Sequence, residues 1–167
     1  MIDPTFLLPE GRSRETRIRR DARGKWWNGE DPITHALLVT AFESWIERAE
    51  DGRLCLKNDI NWAYVAIDGA PYFVRSIAVD DAGRVTLSLS GGLSETLDPA
   101  TLRQDAEGAL YCDVKGGTLA ARFDSHAAMQ LWALCEEDAD GPYLRLGAAH
   151  VRPPVAQDPL ASPSVPK

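Results

Sequence analysis

Thr16-Arg17-Ile18-Arg19-Arg20, Lys25-Trp26-Trp27, Asp31-Pro32 and Asp51-Gly52-Arg53-Leu54-Cys55-Leu56 form a local order that occurs twice in this chain. The first two segments read as short strands. Asp31-Pro32 reads as a helix opening, because an aspartate accepts the free N–H groups of a first turn and proline suits the first helical position. Asp51-Gly52 then turns into the strand 53–56. The second copy runs Ala109–Val114, Thr118–Phe123, Asp124-Ser125 and Asp140-Gly141, ending in the strand Pro142-Tyr143-Leu144-Arg145-Leu146. The repeat predicts two lobes built from one unit by duplication.

Working outward, the first helix is expected over 33–49, where Ile33, Leu37, Ala41, Trp45 and Ala49 recur every four residues and Leu38, Phe42 and Ile46 widen the stripe. Such a stripe calls for burial against a sheet. The second helix is expected over 125–137. Between them, Asn61–Ile67, Tyr72–Val79 and Arg84–Ser90 read as strands, and Gly116-Gly117 fits a tight hairpin turn. Hairpin-length connections make the sheets mainly antiparallel, so the fold class is α+β, each lobe's sheet packed by one helix. The copies do not register perfectly: Asp31 to Asp124 and Asp51 to Asp140 differ in spacing by about one helical turn.

These boundaries give a mobile lead-in over 1–11, an N-terminal lobe over 12–75, a C-terminal lobe over 76–150 and a disordered tail over 151–167, which holds five of the 11 prolines. At 167 residues and 44% hydrophobic content, the chain can bury a core without disulfides or metals. It has no apolar run long enough for a membrane span and no leader-like start, so a cytoplasmic location is expected. Cys55, Cys112 and Cys135 sit among apolar neighbours and read as buried thiols.

The net charge of −7 conceals a basic arm. Arg12 to Lys25 carries seven of the 18 basic residues against Glu15 and Asp21, a local charge of +5 that leaves −12 for the rest. Such an arm can hold an anion or dock on the acidic body. Trp26 and Trp27 point to opposite sheet faces, one inward and one outward. The acidic pI of about 4.9 disfavours nucleic acid as the partner, although Arg17 and Arg19 share a strand face. His35, His126 and His150 lie far apart and in no ligand spacing, so no metal or cofactor is expected. No G-x-S-x-G elbow or phosphate loop occurs, and no catalytic residue stands out.

The order of these motifs resembles the bacterial domain-of-unknown-function family 1285. The likeness is carried by Asp21-Ala22-Arg23-Gly24-Lys25-Trp26-Trp27-Asn28-Gly29, by Asp31-Pro32-Ile33, by Glu50-Asp51-Gly52 and by Asp68-Gly69-Ala70-Pro71-Tyr72-Phe73. It implies a duplicated α/β core, a C-terminal half similar to a pleckstrin-homology-type barrel, a ligand or partner site between the halves, and regulatory or signalling roles. The chain departs from the pattern at Lys57-Asn58-Asp59-Ile60, where a Pro-Val-Glu-like segment belongs.

The resulting expectation is a non-catalytic ligand-binding or regulatory module. Its candidate site comprises Lys57, Asn58, Asp59, Trp62, Tyr72 and Phe73, with Trp27 beside them and Arg17 and Arg19 on the rim. Arginines would hold an anionic group and aromatics a planar or apolar one. The partner is a small anionic ligand or a protein, and a free sheet edge leaves a homodimer open. The alternatives are an enzyme with an unfamiliar site between the lobes, or a nucleic-acid binder using the basic strand.

Overall fold

The computed structural model describes residues 13–161, so the expected lead-in over 1–11 lies outside the described residues. The fold is α+β, and the chain divides into two compact units between Pro71 and Tyr72. The junction expected after residue 75 falls within a strand instead.

In the first unit, β1 (Ile18–Arg20), β2 (Trp26–Asn28) and β3 (Asp31–Ile33) form an antiparallel meander. Helix α1 (Ala36–Trp45) follows, then a second meander of β4 (Ile46–Arg48), β5 (Leu54–Lys57) and β6 (Trp62–Tyr64). The short β7 (Ala66–Ile67) returns to pair parallel with β1, giving the order β3-β2-β1-β7. The β1–β2 turn is built by Asp21, whose carboxylate accepts the backbone N–H groups of Arg23 at 2.9 Å and Lys25 at 3.0 Å. In the next hairpin, Gly29 takes φ 64°, and a Cβ there would strike the Arg17 guanidinium laid across the turn.

Asp31-Pro32 does not open the helix. The Asn28-Gly29 turn folds it back as β3, with Trp27 opposite Pro32 and Trp26 opposite Ile33. His35 caps α1 instead, its Nδ1 accepting the N–H of Leu38 at 3.4 Å. The helix stops at Trp45 because Ile46 turns extended and pairs with Leu56. The expected apolar stripe is thereby cut at both ends. Within α1 only Phe42 is buried, while Leu37 is 77% exposed.

The second unit starts with β8 (Tyr72–Val79), β9 (Val85–Leu89) and β10 (Ser94–Thr96). A second meander, β11 (Arg103–Gln104), β12 (Leu110–Val114) and β13 (Leu119–Phe123), joins them through a parallel β13–β8 pair. The resulting sheet runs β10-β9-β8-β13-β12-β11. Helix α2 (Ser125–Trp132) packs on β8 and β13, and β14 (Cys135–Asp138), β15 (Gly141–Leu146) and β16 (Ala149–Val151) complete the unit. Asp124 precedes α2 as expected, although its carboxylate binds Arg75 Nη1 at 2.8 Å rather than the helix amides. Its core includes Tyr72, Val74, Leu87, Cys112, Leu119, Ala127, Leu131 and Leu144, all with essentially no exposed surface. The β8–β9 and β15–β16 turns meet at Gly83 and Gly147, where a Cβ on Gly83 would lie 2.5 Å from the Gly147 backbone.

Two further expectations need correction. Residues 151–161 are not a loose tail: Gln104 donates its backbone N–H to the Pro154 carbonyl at 2.9 Å and accepts from Ala156 at 2.8 Å. Its amide Nε2 donates to Pro153 O at 2.8 Å, and Arg103 Nε donates to Pro159 O at 2.8 Å. The segment covers the outer edge of β11, pairing Val155 with Gln104 in parallel. Residues 162–167 lie outside the described residues. Cys55 and Cys112 are buried as expected, but Cys135 is exposed, because it falls on the outer strand β14 rather than on α2.

Candidate ligand groove

The residues singled out in the sequence go to separate places. Arg19 and Trp27 are cross-strand partners on the outward face of β1 and β2, with the guanidinium 5.1 Å from the ring centroid. Arg17 rests against Gly29 on the same hairpin. Lys57, Asn58 and Asp59 line a different hollow of about 380 Å³ with Trp45 and Glu47. There Asn58 shapes the turn, its Oδ1 accepting the N–H groups of Ile60 at 2.9 Å and Asn61 at 2.8 Å. Trp62 pairs with Lys57 across β5–β6 and carries the Arg14 guanidinium 4.0 Å from its centroid. Tyr72 and Phe73 open β8 of the second unit: Tyr72 has no exposed surface, and the Phe73 N–H donates to Ser90 Oγ at 3.0 Å.

A large apolar hollow in the first unit was not foreseen. A groove of about 590 Å³ opens between the β2–β3 hairpin and the start of α1, walled by Trp26, Trp27, Pro32, Ile33, Ala36 and Val39. The ladder register puts Lys25 and Thr34, which also line it, at the open end of the hairpin, with Trp27 and Pro32 deeper along it. The sequence did carry a signal for it. Ala36-Leu37-Leu38-Val39 is apolar on every side of the first helical turn, more than one buried face requires.

Both tryptophans are fixed. Trp26 is 2% exposed, and its Nε1 donates to Glu43 Oε1 at 2.9 Å, while Glu43 Oε2 pairs with Arg20 Nη1 at 3.0 Å. Arg20 also donates to the carbonyls of Ala70 and Pro71. Phe42 meets Trp26 edge-on, with centroids 5.4 Å apart. Trp27 Nε1 donates to Asp21 Oδ2 at 3.0 Å. That bond, then the Lys25 backbone N–H, holds the Asp21 carboxyl below the usual aspartate range. Lys25 is exposed and makes no ion pair among the described residues.

Comparison of the two units explains why the groove is open. Helix caps His35 and Asp124 are 89 positions apart, and so are the turn residues Asp51 and Asp140. The apparent slip of one turn came from taking Asp31 as the first cap. Strand order β3-β2-β1-β7 matches β13-β12-β11 followed by the Val155 segment. On this match, β3 corresponds to β13, whose far edge is filled by β8 with Tyr72 opposite Ala121. Among the described residues the first unit has no strand beyond β3, and the groove opens beside β3 and α1.

Little here supports covalent chemistry. Burial pushes the Cys55 thiol up to about 11 and the Cys112 thiol up to about 12, so neither is an activated nucleophile. Among the described residues no cluster of histidine, cysteine and carboxylate side chains could hold a metal ion. None of their helices is long and apolar enough to cross a membrane.

The architecture is thus a two-unit α+β fold with helix-spanned meanders, and it is one seen before. The chain is similar to a DUF1285 family protein from Silicibacter pomeroyi DSS-3, with 21% identity over 88% of this chain and 84% of that one and a TM-score of 0.64. It is also similar to a DUF1285 family protein from Shewanella baltica OS155, with 16% identity over 68% of this chain and 87% of that one and a TM-score of 0.53. This likeness establishes the fold. No family model matches the chain, and no curated protein matches it.

Proposed function

We propose that this protein is a non-catalytic ligand-binding module and that the groove beside Trp26 and Trp27 is its site. The observation that carries the reading is an open apolar hollow of about 590 Å³ built on two tryptophans whose indole N–H groups are each held by a carboxylate. The Trp27 ring, locked in this way, offers apolar surface at small entropic cost, and the volume suits a small molecule. Arg19 beside Trp27 and Lys25 at the hairpin's open end supply positive charge, in keeping with an anionic ligand. Arg17 and the polar hollow at Lys57, Asn58 and Asp59 are secondary positions for the same ligand or for a protein partner.

A regulatory role follows from a site that binds without activated groups. In this reading the C-terminal unit, whose six-stranded sheet carries α2, acts as a pleckstrin-homology-type scaffold. Three free thiols, one of them exposed, accord with a reducing cytoplasm.

The test is titration of the purified protein with small carboxylates, phosphates, nucleotides and aromatic acids, followed by tryptophan fluorescence and thermal unfolding. Saturable quenching is expected, and Val39→Trp, which fills the groove, should abolish it while leaving the unfolding temperature within a few degrees. Absence of saturable binding across the library, or binding indifferent to Val39→Trp, rejects the groove as the site.

A further inference from the structure

We infer that the groove takes a carboxylate bearing an apolar tail. This rests on the groove being a ligand site, and three observations narrow the ligand.

The occupant of the equivalent space is visible in the second unit. There β8 lies along β13 and under α2, placing Tyr72 and Val74 in the core with no exposed surface. The volume beside β3 and α1 is framed by the same elements, so it calls for apolar atoms of comparable bulk.

A polypeptide strand cannot supply those atoms as β8 does. Pro32 lies opposite Trp27 as Arg122 lies opposite Tyr111, so it holds the place of Arg122 beside β8, and it has no N–H to give to an added strand. An edge closed in this way disfavours strand addition, whereas a tail without hydrogen-bonding needs can lie against Trp26, Pro32, Ile33 and Val39.

Charge fixes the head group. Lys25 lines the groove at the open end of the hairpin and makes no ion pair among the described residues, and Thr34 lines it opposite. The nearby acid, Asp21, is already engaged by the Trp27 indole and the backbone amides of Arg23 and Lys25. The Arg19 charge stabilises its ionised form a little further. The head-group end therefore favours an anion over a cation. A carboxylate can take the ammonium of Lys25 and the hydroxyl of Thr34 together.

The experiment compares hexanoate, octanoate and decanoate with decan-1-ol and decylamine by isothermal titration calorimetry, using the wild type, Lys25→Glu, Lys25→Gln and Val39→Trp. Carboxylates should tighten about three- to fourfold per added methylene. Both Lys25 variants should weaken decanoate about tenfold or more and leave decan-1-ol unchanged. Decanol matching decanoate in wild type and Lys25 variants alike, or decylamine binding best, overturns the carboxylate while sparing the groove. Failure of every amphiphile to bind, or binding unaffected by Val39→Trp, overturns the groove reading itself. Exposure of Lys25 keeps both of its variants compatible with folding.

Discussion

Each unit hides an arginine in the first strand of its main meander, and the two are partnered differently. Arg20 in the first unit shares Glu43 with the Trp26 indole and also donates to the carbonyls of Ala70 and Pro71. Arg103 in the second pairs Nη2 with Asp113 Oδ1 at 2.9 Å and donates to the carbonyls of Thr101 and Pro159. In both, an inward guanidinium ties the first strand of the meander to the segment that closes the unit. The positions differ by one, since Gln104 holds the register place of Arg20 and Arg103 that of Arg19. The seals differ too. The Asp113 side chain is 1% exposed, whereas that of Glu43 is 12% exposed and nearer to water; the arginines run the other way, Arg103 at 8% and Arg20 at 0%.

The sharpest way to break that comparison is to remove each carboxylate. Asp113→Ala leaves Arg103 charged in a closed pocket and should cost about 3–5 kcal/mol in urea unfolding. Glu43→Ala leaves Arg20 two carbonyl acceptors and some access to water, so the loss should be about 1.5–3 kcal/mol. A larger loss from Glu43→Ala would show that the first unit is the better sealed of the two.

The helices differ in the same sense. Leu131 of α2 has no exposed surface, and Leu131→Ala should cost about 2–5 kcal/mol. Leu37→Ala in α1 removes a side chain that is 77% exposed and should stay within about 0.5 kcal/mol of wild type. Equal losses would mean that α1 is covered in solution.

Strands and turns were legible wherever one principle acted alone. Alternating or β-branched runs placed β8 and β9, and Asp140-Gly141 gave the turn into β15. Asp31-Pro32 misled because the pair suits a helix start and a guarded edge strand equally; the two-residue turn at Gly29 decided between them. The groove was hidden for a related reason. Periodicity shows that Leu37 and Val39 are apolar, yet the absence of a strand beyond β3 among the described residues is a fact of topology. Of the expected site, the Arg19–Trp27 pairing follows from strand alternation, whereas the separation of Lys57–Asp59 from Trp27 depends on where the meanders fold. Proline content likewise made 151–161 look disordered, although polyproline-rich chain still has carbonyls to offer Gln104 and Arg103.

The repeat makes that last correction testable. β7 pairs parallel with β1, and Val155 takes the same position against β11. Deleting residues 153–167 should therefore destabilise the protein by about 1–3 kcal/mol, since it strips Arg103 Nε and the β11 edge of their acceptors. Unchanged urea and thermal unfolding would return the segment to the status of a tail.

The smallest expected effect concerns the tryptophans; its counterpart in the second unit is the Asp105 turn, whose Oδ2 accepts the Tyr111 hydroxyl at 3.4 Å. Asp21 titrates below its ordinary value of 3.8, chiefly because the Trp27 indole N–H binds its charged form. A depressed folded value means that the bond contributes fully above the ordinary value and is lost as pH falls through the folded one. The Trp27 indole N–H resonance should thus stay put from pH 7 to about 4 and move only below it, while that of Trp26, held by Glu43, reports separately. In Asp21→Asn the Trp27 resonance should start displaced and lose its acid transition. If wild-type Trp27 shifts at higher pH, or Asp21→Asn titrates unchanged, another group holds the ring, and the outer wall of the groove is less fixed than its inner one.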